Sequence, residues 1–519
     1  MKKLFALLLA LTMTLSLAAC GGTPANDKGG DAPGSSDTPG GSAIHRERLT
    51  VALGKEPKTL LPYGSNDTGT GPITHQMYEA LISRDAEMNM VPGLATSWEQ
   101  IDDTHYRFTL REGVKFHNGS DFTAEDVLYT FEQNTASEAT ASTIGPVDIP
   151  NCEIESDHSI VIALSQPYPA FLNCCTLDIA AIVDKETMEE IGEEAYAANP
   201  VGTGPFQFVE WATGDYIEME ANKDWWGGEI NFDTLVLRYI PEGATRAIEA
   251  ESGGVDIAHI TVSDAANAES SPETDLQVNR ILNTSYVSFN CSIEPFNNVK
   301  VRQAISLALD TEAIVKATYQ DYTEVARSFL APDIWGYTEV DSEFDGYDVE
   351  KAKQMLSEAG YPDGFACTLV SNANQTTAEM IQAQLKEVGI EVTLNVTDFA
   401  NWLDAITNGK QQMYYGGWTV PSGDASEAFA AFHSANMGPT NRSFYGSPEA
   451  DELIDTIDSV TDEEQRMAAC VELQELLADE CVTIGTAVGV SFYSVNKSIE
   501  GFYSLATQSP DFAYITFTK

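Results

Sequence analysis

The segment GGWTVPSGDASEAF, residues 416–429, contains residue types that could either catalyse a reaction or bind a solute. Trp418 lies there among glycines and a proline, and Asp424 follows it just before an apolar helical start. An indole offers a flat face for apolar contact or for stacking on a cation, so Trp418 is interpreted as a pocket wall, with burial in the core as the alternative. The carboxylate of Asp424 is suited to accept ammonium N–H groups, to cap the following helix, or to do both.

Motifs that would indicate catalysis or metal binding are missing from the sequence. The seven histidines are never within five residues of one another, so no H-E-x-x-H pair exists. No G-x-S-x-G elbow occurs. The segment DSEFDGYDVEKA imitates a calcium loop, but its twelfth position is Ala352 where a bidentate glutamate is required. Nothing in these patterns argues for an enzyme, a metal or a cofactor.

Charge and length limit the remaining classes. The chain has 519 residues, which suggests roughly two to four folding units. Its 79 Asp and Glu against 28 Lys and Arg give a net charge of −51. Such a chain repels phosphate backbones, so we expect no nucleic-acid partner.

The N-terminus has the pattern of an export signal. Two lysines precede an apolar run that is shorter than the ~20 residues needed to span a membrane. The following LAAC, ending at Cys20, resembles the lipobox of bacterial lipoproteins, which implies cleavage after residue 19 and acylation of Cys20. The alternative is an ordinary signal peptide with an incidental cysteine. Residues 20–46 are rich in Gly, Ser, Pro and Asp and predict a flexible linker.

Periodicity in the body predicts an α/β fold. A strand is expected near residues 49–53, and Thr123 with Asp126 predicts the start of a helix. Residues 365–396 read as strand, helix and strand, which indicates a parallel crossover. Two late helices are predicted. One has Ser447 as its N-cap, and the other begins with a capping box formed by Thr461 and Glu464.

Long stretches of the chain resemble the extracytoplasmic solute-binding proteins of peptide-type ABC importers, the family of the dipeptide-, oligopeptide-, nickel- and glutathione-binding proteins. The matching stretches are YEALISRDAEMNMVPGLATSWE, YRFTLREGVKFHNGSDFTAEDVLYTFE, NPVGTGPFQFVEW, DWWGG, EPFNNVKVRQAISLALD, WGYTEVD, AKQMLSEAGYPDGF and IQAQLKEVGIEVTL. The resemblance implies an α/β, two-lobed clamshell of the periplasmic-binding-protein type with mixed sheets.

The resemblance also implies domain limits. Lobe I is expected to comprise residues 47–283 and 491–519, with an inserted subdomain at about 70–198, and lobe II residues 284–490. Crossings between the lobes are expected near TSYVSFN and GVSFYSVN.

Relatives in this family suggest candidate ligand contacts. The turn that carries Trp418 faces the cleft in the family, which favours ligand contacts by Trp418 and Asp424. Dipeptide and oligopeptide binders have an aspartate three residues after that tryptophan, where this chain has Pro421, and SNANQTTAEM lacks the arginine of dipeptide binders. The pattern is closer to the glutathione-binding branch. The further candidates, each with a structural or surface role as its alternative, are Asn66, Asp67, Thr68, Tyr286, Asn290, Arg327 and Arg442.

The implied function is that of a receptor which closes on a short peptide or peptide-like solute and delivers it to an ABC permease without covalent chemistry. We expect a monomer, lipid-anchored through Cys20 on the outer face of the bacterial cytoplasmic membrane. Binding of nickel, a metal chelate or haem is the alternative within the family. An extracellular hydrolase is the alternative outside it.

Overall fold

A ten-stranded mixed β-sheet runs through the computed structural model, which describes residues 44–372 and 375–518. The strands are β1 Arg46–Leu53, β2 Ile82–Arg84, β3 Met90–Pro92, β4 Ala95–Asp102, β5 His105–Leu110, β6 Glu153–Ser156, β7 Ser159–Ala163, β8 Phe206–Ala212, β9 Tyr216–Ala221, β10 Phe232–Tyr239, β11 Ile257–Ile260, β12 Thr274–Phe289, β13 Phe365–Ser371, β14 Ile390–Val396, β15 Met413–Thr419, β16 Thr483–Asn496, β17 Ile499–Glu500, β18 Tyr503–Ser504, β19 Pro510–Asp511 and β20 Thr516–Phe517.

Helices cover the faces of this sheet and connect its strands. They are α1 Gly71–Met77, α2 Ala124–Ala136, α3 Phe171–Cys174, α4 Lys185–Ile191, α5 Glu193–Ala198, α6 Gly243–Glu251, α7 Val262–Ser270, α8 Val299–Ala308, α9 Thr311–Tyr319, α10 Val349–Glu358, α11 Gln375–Glu387, α12 Phe399–Thr407, α13 Ala425–Phe429, α14 Pro448–Ser459 and α15 Glu463–Asp479.

The strand order of the large sheet is β14-β13-β15-β12-β16-β11-β1-β10-β9-β8. Its two longest strands, β12 and β16, are antiparallel neighbours at the centre. β12 also pairs with β15, and β16 also pairs with β11, so this pair joins the two halves of the sheet. The segments expected to cross between lobes, residues 284–290 and 489–496, lie at or within these strands.

The predicted crossover at residues 365–396 is confirmed. β13 and β14 pair in parallel with α11 between them, and Ile381 and Leu385 of that helix are fully buried. A Cβ on Gly364 would lie 1.9 Å from the carbonyl oxygen of Gly389, so the chain needs glycine where the two connections meet. The α/β prediction therefore holds at the level of this unit.

A second sheet of four strands, in the order β4-β5-β7-β6, packs with α2 around its own aromatic core. The predicted start of α2 is confirmed, because the Thr123 N–H donates to the carboxylate of Asp126 at 2.9 Å. This sheet falls inside the range expected for the inserted subdomain, residues 70–198, whose limits remain a prediction.

Three local expectations differ from the structure. Asp462 rather than Thr461 caps α15, since its carboxylate accepts from the Gln465 N–H, while the Thr461 hydroxyl donates to Asp103. The glycines before Trp418 belong to strand β15 and not to a turn. β1 begins at Arg46, the last residue of the predicted linker, because Arg46 already pairs with Phe232 of β10.

Separate apolar cores fill the two halves of the sheet. One core contains Leu49, Phe206 and Phe232. A second contains Phe429 of α13, and a third contains Phe289 of β12. The lobe limits proposed from the sequence stay predictions. The signal peptide, Cys20 and nearly all of the linker lie outside the described residues. Within residues 44–372 and 375–518, no helix has the length and apolar content needed to cross a bilayer.

Candidate functional site

A cavity of about 760 Å³ lies against α1 and is lined by six separate stretches of the chain. These stretches are the loop and helix at 62–80, the hairpin at 82–93, and residues 176–181, 225–226, 419–427 and 503–514. The segment at 419–427 follows β15, whereas most of the others belong to the predicted first lobe, so the cavity lies where two parts of the fold meet.

Aromatic side chains form one wall of the cavity. The rings of Trp225 and Trp226 are 6.1 Å apart, and Tyr514 lies 6.0 Å from Trp225. Tyr503 stacks on Tyr514 at 6.4 Å. Rings at these spacings offer a broad apolar surface with polar edges, which suits peptide-like solutes.

His75 of α1 contributes a cation. Its Nδ1 lies 2.9 Å from Oδ1 of Asp178, and the Ser509 hydroxyl donates to the other oxygen of Asp178 at 2.6 Å. Burial alone would lower the pKa of His75, but the charge and hydrogen bond of Asp178, together with the charges of Asp511 and Glu79, outweigh burial and raise this pKa to about 9. The imidazole is therefore charged at neutral pH.

Glu79 lies beside the aromatic wall. Its two oxygens accept the indole N–H groups of Trp225 at 3.0 Å and Trp226 at 2.8 Å. Burial raises the pKa of Glu79 to about 7, although these donors act in the opposite direction. Glu79 is thus close to half-protonated at neutral pH, while its geometry fixes the two indoles.

Glu427, in the segment after β15, adds another carboxylate to the cavity lining. It is the third residue of α13, and its Oε2 accepts from the N–H and the hydroxyl of Ser422 at 3.1 and 2.6 Å. Burial raises the pKa of Glu427, the Ser422 donors oppose that rise, and the charge of Asp424 adds to it. No cation of the described residues is among the groups that shift this pKa.

Arg84 and Asn173 tie the segment after β15 to the rest of the site. Arg84 donates to the Ser422 carbonyl and to the Asn173 side chain, each at 2.8 Å. Asn173 in turn donates to the carboxylate of Asp424 at 3.0 Å. Two of these three bonds, from Arg84 to Ser422 and from Asn173 to Asp424, connect parts of the chain that are more than 200 residues apart.

Three of the residues predicted from the sequence line the cavity, namely Asn66, Asp67 and Thr68. Asp67 organises its own turn by accepting from the N–H of Gly69 at 2.8 Å and from the Ser65 hydroxyl at 2.6 Å. The Thr68 hydroxyl accepts from Lys55, and Asn66 donates to Thr143. A ligand role for these three residues stays a prediction.

Trp418, Arg442 and Tyr286 lie together outside the cavity lining. The Arg442 guanidinium lies 5.0 Å above the Trp418 ring, and Phe329 contacts both Trp418 and Tyr286 at ring distances of 6.1 and 5.1 Å. Thr419, directly after Trp418, does line the cavity. Trp418 is half-buried and packs against an apolar core, and its role as a pocket wall stays a prediction.

Asp424 is fully buried and held by Arg466. Both of its oxygens accept from that guanidinium, which stacks 4.0 Å from the Trp335 ring, and one also accepts from the Ser426 N–H at 3.0 Å. The capping role is confirmed. The proposed ammonium contact is not supported by this geometry, because the carboxylate already has a cation and lies outside the cavity lining.

Asn290 and Arg327 also lie away from the cavity. The Asn290 amide donates to the Gly409 carbonyl at 3.2 Å and accepts from the Ser292 hydroxyl at 2.6 Å, which fixes the chain after β12. Arg327 lies 3.9 Å from Glu312, near the surface.

Sequence reasoning missed His75, Glu79 and Glu427 as cavity residues. DWWGG carried part of the family resemblance, but the contact between its indoles and Glu79 spans almost 150 residues. Glu427 had a local signal, since it follows the capping Asp424 by three positions, as in a capping box. Its carboxylate nevertheless bonds to Ser422 and not to the helix start.

Comparison with known proteins agrees with this geometry. Residues 89–439, more than half of the chain, match the family described as bacterial extracellular solute-binding proteins, family 5. The chain belongs to that family. The predicted fold class, an α/β two-lobed clamshell with a large mixed sheet, is confirmed, and so is the assignment to solute-binding components of ABC transporters.

Individual relatives cover nearly the whole chain. Heme-binding protein A of Haemophilus influenzae is 30% identical over 99% of this chain and 98% of the relative. Glutathione-binding protein GsiB of Salmonella typhi is 29% identical over 89% of this chain and 93% of its own length. The periplasmic binding protein DppA from Helicobacter pylori, solved in complex with the peptide STSA, is 26% identical and aligns with a TM-score of 0.77 over 92% of this chain and 99% of that one.

Proposed function

We propose that this protein captures a short peptide or peptide-like solute in the cavity beside α1 and delivers it unaltered to an ABC permease. The observation that carries this proposal is the cavity itself, whose about 760 Å³ is walled by indole and phenol rings and by polar side chains. Pockets of this size and mixture suit small ligands with apolar and polar parts. The peptide-bound DppA relative supports the ligand class.

Release of the solute unchanged fits the arrangement of the polar groups. A serine nucleophile needs its hydroxyl hydrogen-bonded to a histidine base. Here the Ser509 hydroxyl and the His75 ring both bind Asp178, so the histidine is turned towards the carboxylate. The arrangement of Ser509, Asp178 and His75 therefore supports a binding role, because the Ser509 hydroxyl is not activated by the histidine.

Metal capture has less support than peptide capture. No cluster of three or more metal-ligating His, Cys, Asp or Glu side chains occurs in the described part of the chain. Haem is the alternative ligand, because one relative is a haem-binding protein. The mass spectrometry described below distinguishes haem from a peptide.

The proposal also includes the location and assembly expected from the sequence. We place the protein as a monomer on the outer face of the cytoplasmic membrane, held by a lipid on Cys20. The support for the anchor is the LAAC pattern after an apolar run. Metabolic labelling with a palmitate analogue is expected to mark the full-length protein and not Cys20→Ser.

Mass spectrometry of compounds released by denaturing the purified protein tests the ligand class. We expect peptides of a few residues, and we expect the same peptides to raise the melting temperature of the ligand-free protein. Incubation should return each peptide intact. Release of haem or a metal chelate alone, or recovery of cleaved peptide, would contradict the proposal.

A further inference from the structure

The charge balance of the cavity points to a specific class of peptide. We propose that the site selects peptides with a net positive charge, and that Glu427 is the carboxylate that faces the ligand's cation. This inference rests on the proposed function, because it names the kind of peptide that the same cavity would take.

Carboxylates greatly outnumber cations on the cavity wall. The acidic side chains that line it are Asp67, Glu79, Asp85, Glu87, Asp178, Glu427 and Asp511. The cationic side chains that line it in the described part of the chain are Arg84 and His75. An enclosed space lined by one sign of charge concentrates ligands of the opposite sign.

Both wall cations are already engaged. Arg84 donates to Thr176, Met88, Asn173 and Ser422, so its guanidinium is held by protein groups. His75 is paired with Asp178. An anionic ligand would therefore find no guanidinium free to receive it, and it would have to share the single imidazolium with Asp178.

Three of the other wall carboxylates have partners within the protein. Asp178 has His75, Asp67 has Lys58 at 3.5 Å, and Asp511 accepts from the Tyr503 hydroxyl and the Ala513 N–H. Within residues 44–372 and 375–518, Glu427 accepts from Ser422 and takes part in no ion pair. A desolvated carboxylate without a cation gains most from a cationic ligand.

The position of Glu427 gives its charge a second role. It projects from the segment after β15, while the aromatic wall and Glu79 belong to the other part of the cavity. A ligand cation between them would bridge both parts of the site. Hinge closure in a two-lobed binder is driven by such contacts to both sides at once.

Three peptides that differ in one side chain test this selectivity. Dissociation constants of Ala-Lys-Ala, Ala-Gln-Ala and Ala-Glu-Ala are measured by calorimetry on the ligand-free full-length protein. We expect the lysine peptide to bind at least about tenfold tighter than the glutamine peptide, and the glutamate peptide to bind weakest. Raising the salt concentration should narrow these differences, since screening weakens both attraction and repulsion.

Variants then test Glu427. Glu427→Gln keeps the shape and removes the charge, and we expect it to shrink the ratio between the glutamate- and lysine-peptide constants by about tenfold. Glu472→Gln, on the exposed face of α15, is the matched control and should leave the ratio unchanged. If Glu427→Gln does not fold, the salt dependence of the native protein still decides the question of selectivity.

The outcomes separate the two proposals. Equal constants for the three peptides, or preference for the glutamate peptide, would overturn the charge selectivity and leave peptide binding intact. A selective native protein with an unchanged ratio in Glu427→Gln would overturn the role of Glu427. Binding of spermidine with no binding of any peptide would overturn the peptide function, and the inference with it.

Discussion

At the scale of single residues, similar ionisable groups have different roles because their surroundings differ. The carboxylate of Asp424 is paired with Arg466 and buried, whereas that of Glu427, three positions on, has no cation and lines the cavity. The imidazole of His75 is held charged by Asp178, while burial lowers the pKa of His117 to about 4 and keeps it neutral. Residue type alone assigns none of these roles.

The pair of His75 and Asp178 predicts a dependence of stability on pH. The folded protein holds the His75 proton up to pH of about 9, whereas an unfolded chain releases it near 6.5. The stabilisation from this pair is fully present below pH 6.5 and is lost as the pH rises through about 9. Its size is at most about 3 kcal/mol. Urea unfolding at pH 6, 7.5 and 9 should show this loss in the native protein and a smaller one in His75→Gln.

His105→Gln serves as the control for that measurement. His105 pairs with Asp102 at the end of an exposed hairpin, away from the cavity. Its replacement should leave the change in unfolding free energy between pH 6.5 and 9 as it is in the native protein. The assignment fails if His75→Gln and the native protein lose equal stability over that range.

At the scale of elements, the long strands β12 and β16 determine how the two halves of the sheet are joined. Twelve residue pairs connect them, with irregularities near Arg280 and Ser285. The segment before Phe329 adds to this junction, since the Val488 N–H donates to the Glu324 carbonyl at 3.0 Å and the Thr323 hydroxyl donates to the Val488 carbonyl at 2.7 Å. The centre of the sheet is thus tightly packed on both sides of β16.

Gly485 tests that packing. A Cβ at this position would lie 2.2 Å from the carbonyl oxygen of Ala326, so Gly485→Ala must displace the backbone. We expect a loss of about 2 kcal/mol in the free energy of unfolding, measured by urea denaturation. Gly446→Ala is the control, because its Cβ would meet only the mobile end of Met437, and it should cost less than about 0.5 kcal/mol. Equal costs for the two variants would contradict the close approach.

At the scale of the whole molecule, polar contacts tie the segment after β15 to Arg84 and Asn173. The Asn173 amide donates to Asp424 and accepts from Arg84, which links α3 to the segment after β15. Bonds of this kind, with a charged partner, contribute about 1.5–3 kcal/mol each. A hinge motion that separates these parts would break both bonds, so we expect them to favour the closed form over the open form.

Asn173→Ala is therefore expected to favour the open form. We expect a larger radius of gyration in ligand-free solution scattering and an apparent affinity for the released ligand reduced by about tenfold. Asn151→Ala, which removes only a surface bond to Asp148, is the control and should change neither value. An unchanged affinity in Asn173→Ala would show that this residue does not govern closure.

Much of the fold was predictable because its causes are local. The crossover at residues 365–396 follows from apolar alternation and from the glycines at its ends, and α2 follows from the pairing of Thr123 with Asp126. The start of α15 was misplaced by one residue, because Thr461 and Asp462 are both good caps and contact with Asp103 engaged Thr461. Long matching stretches identified the family.

The sequence by itself determined the α/β class and the acidic charge and predicted an export signal, since these depend on composition and on short-range spacing. The family was identified by resemblance over long stretches of the chain. Only the tertiary structure decided which side chains line the cavity. His75 and Glu79, Asp178, and Glu427 are brought together from three distant segments, and Trp418 packs against an apolar core. Their positions depend on packing between strands far apart in the chain, which no local pattern records.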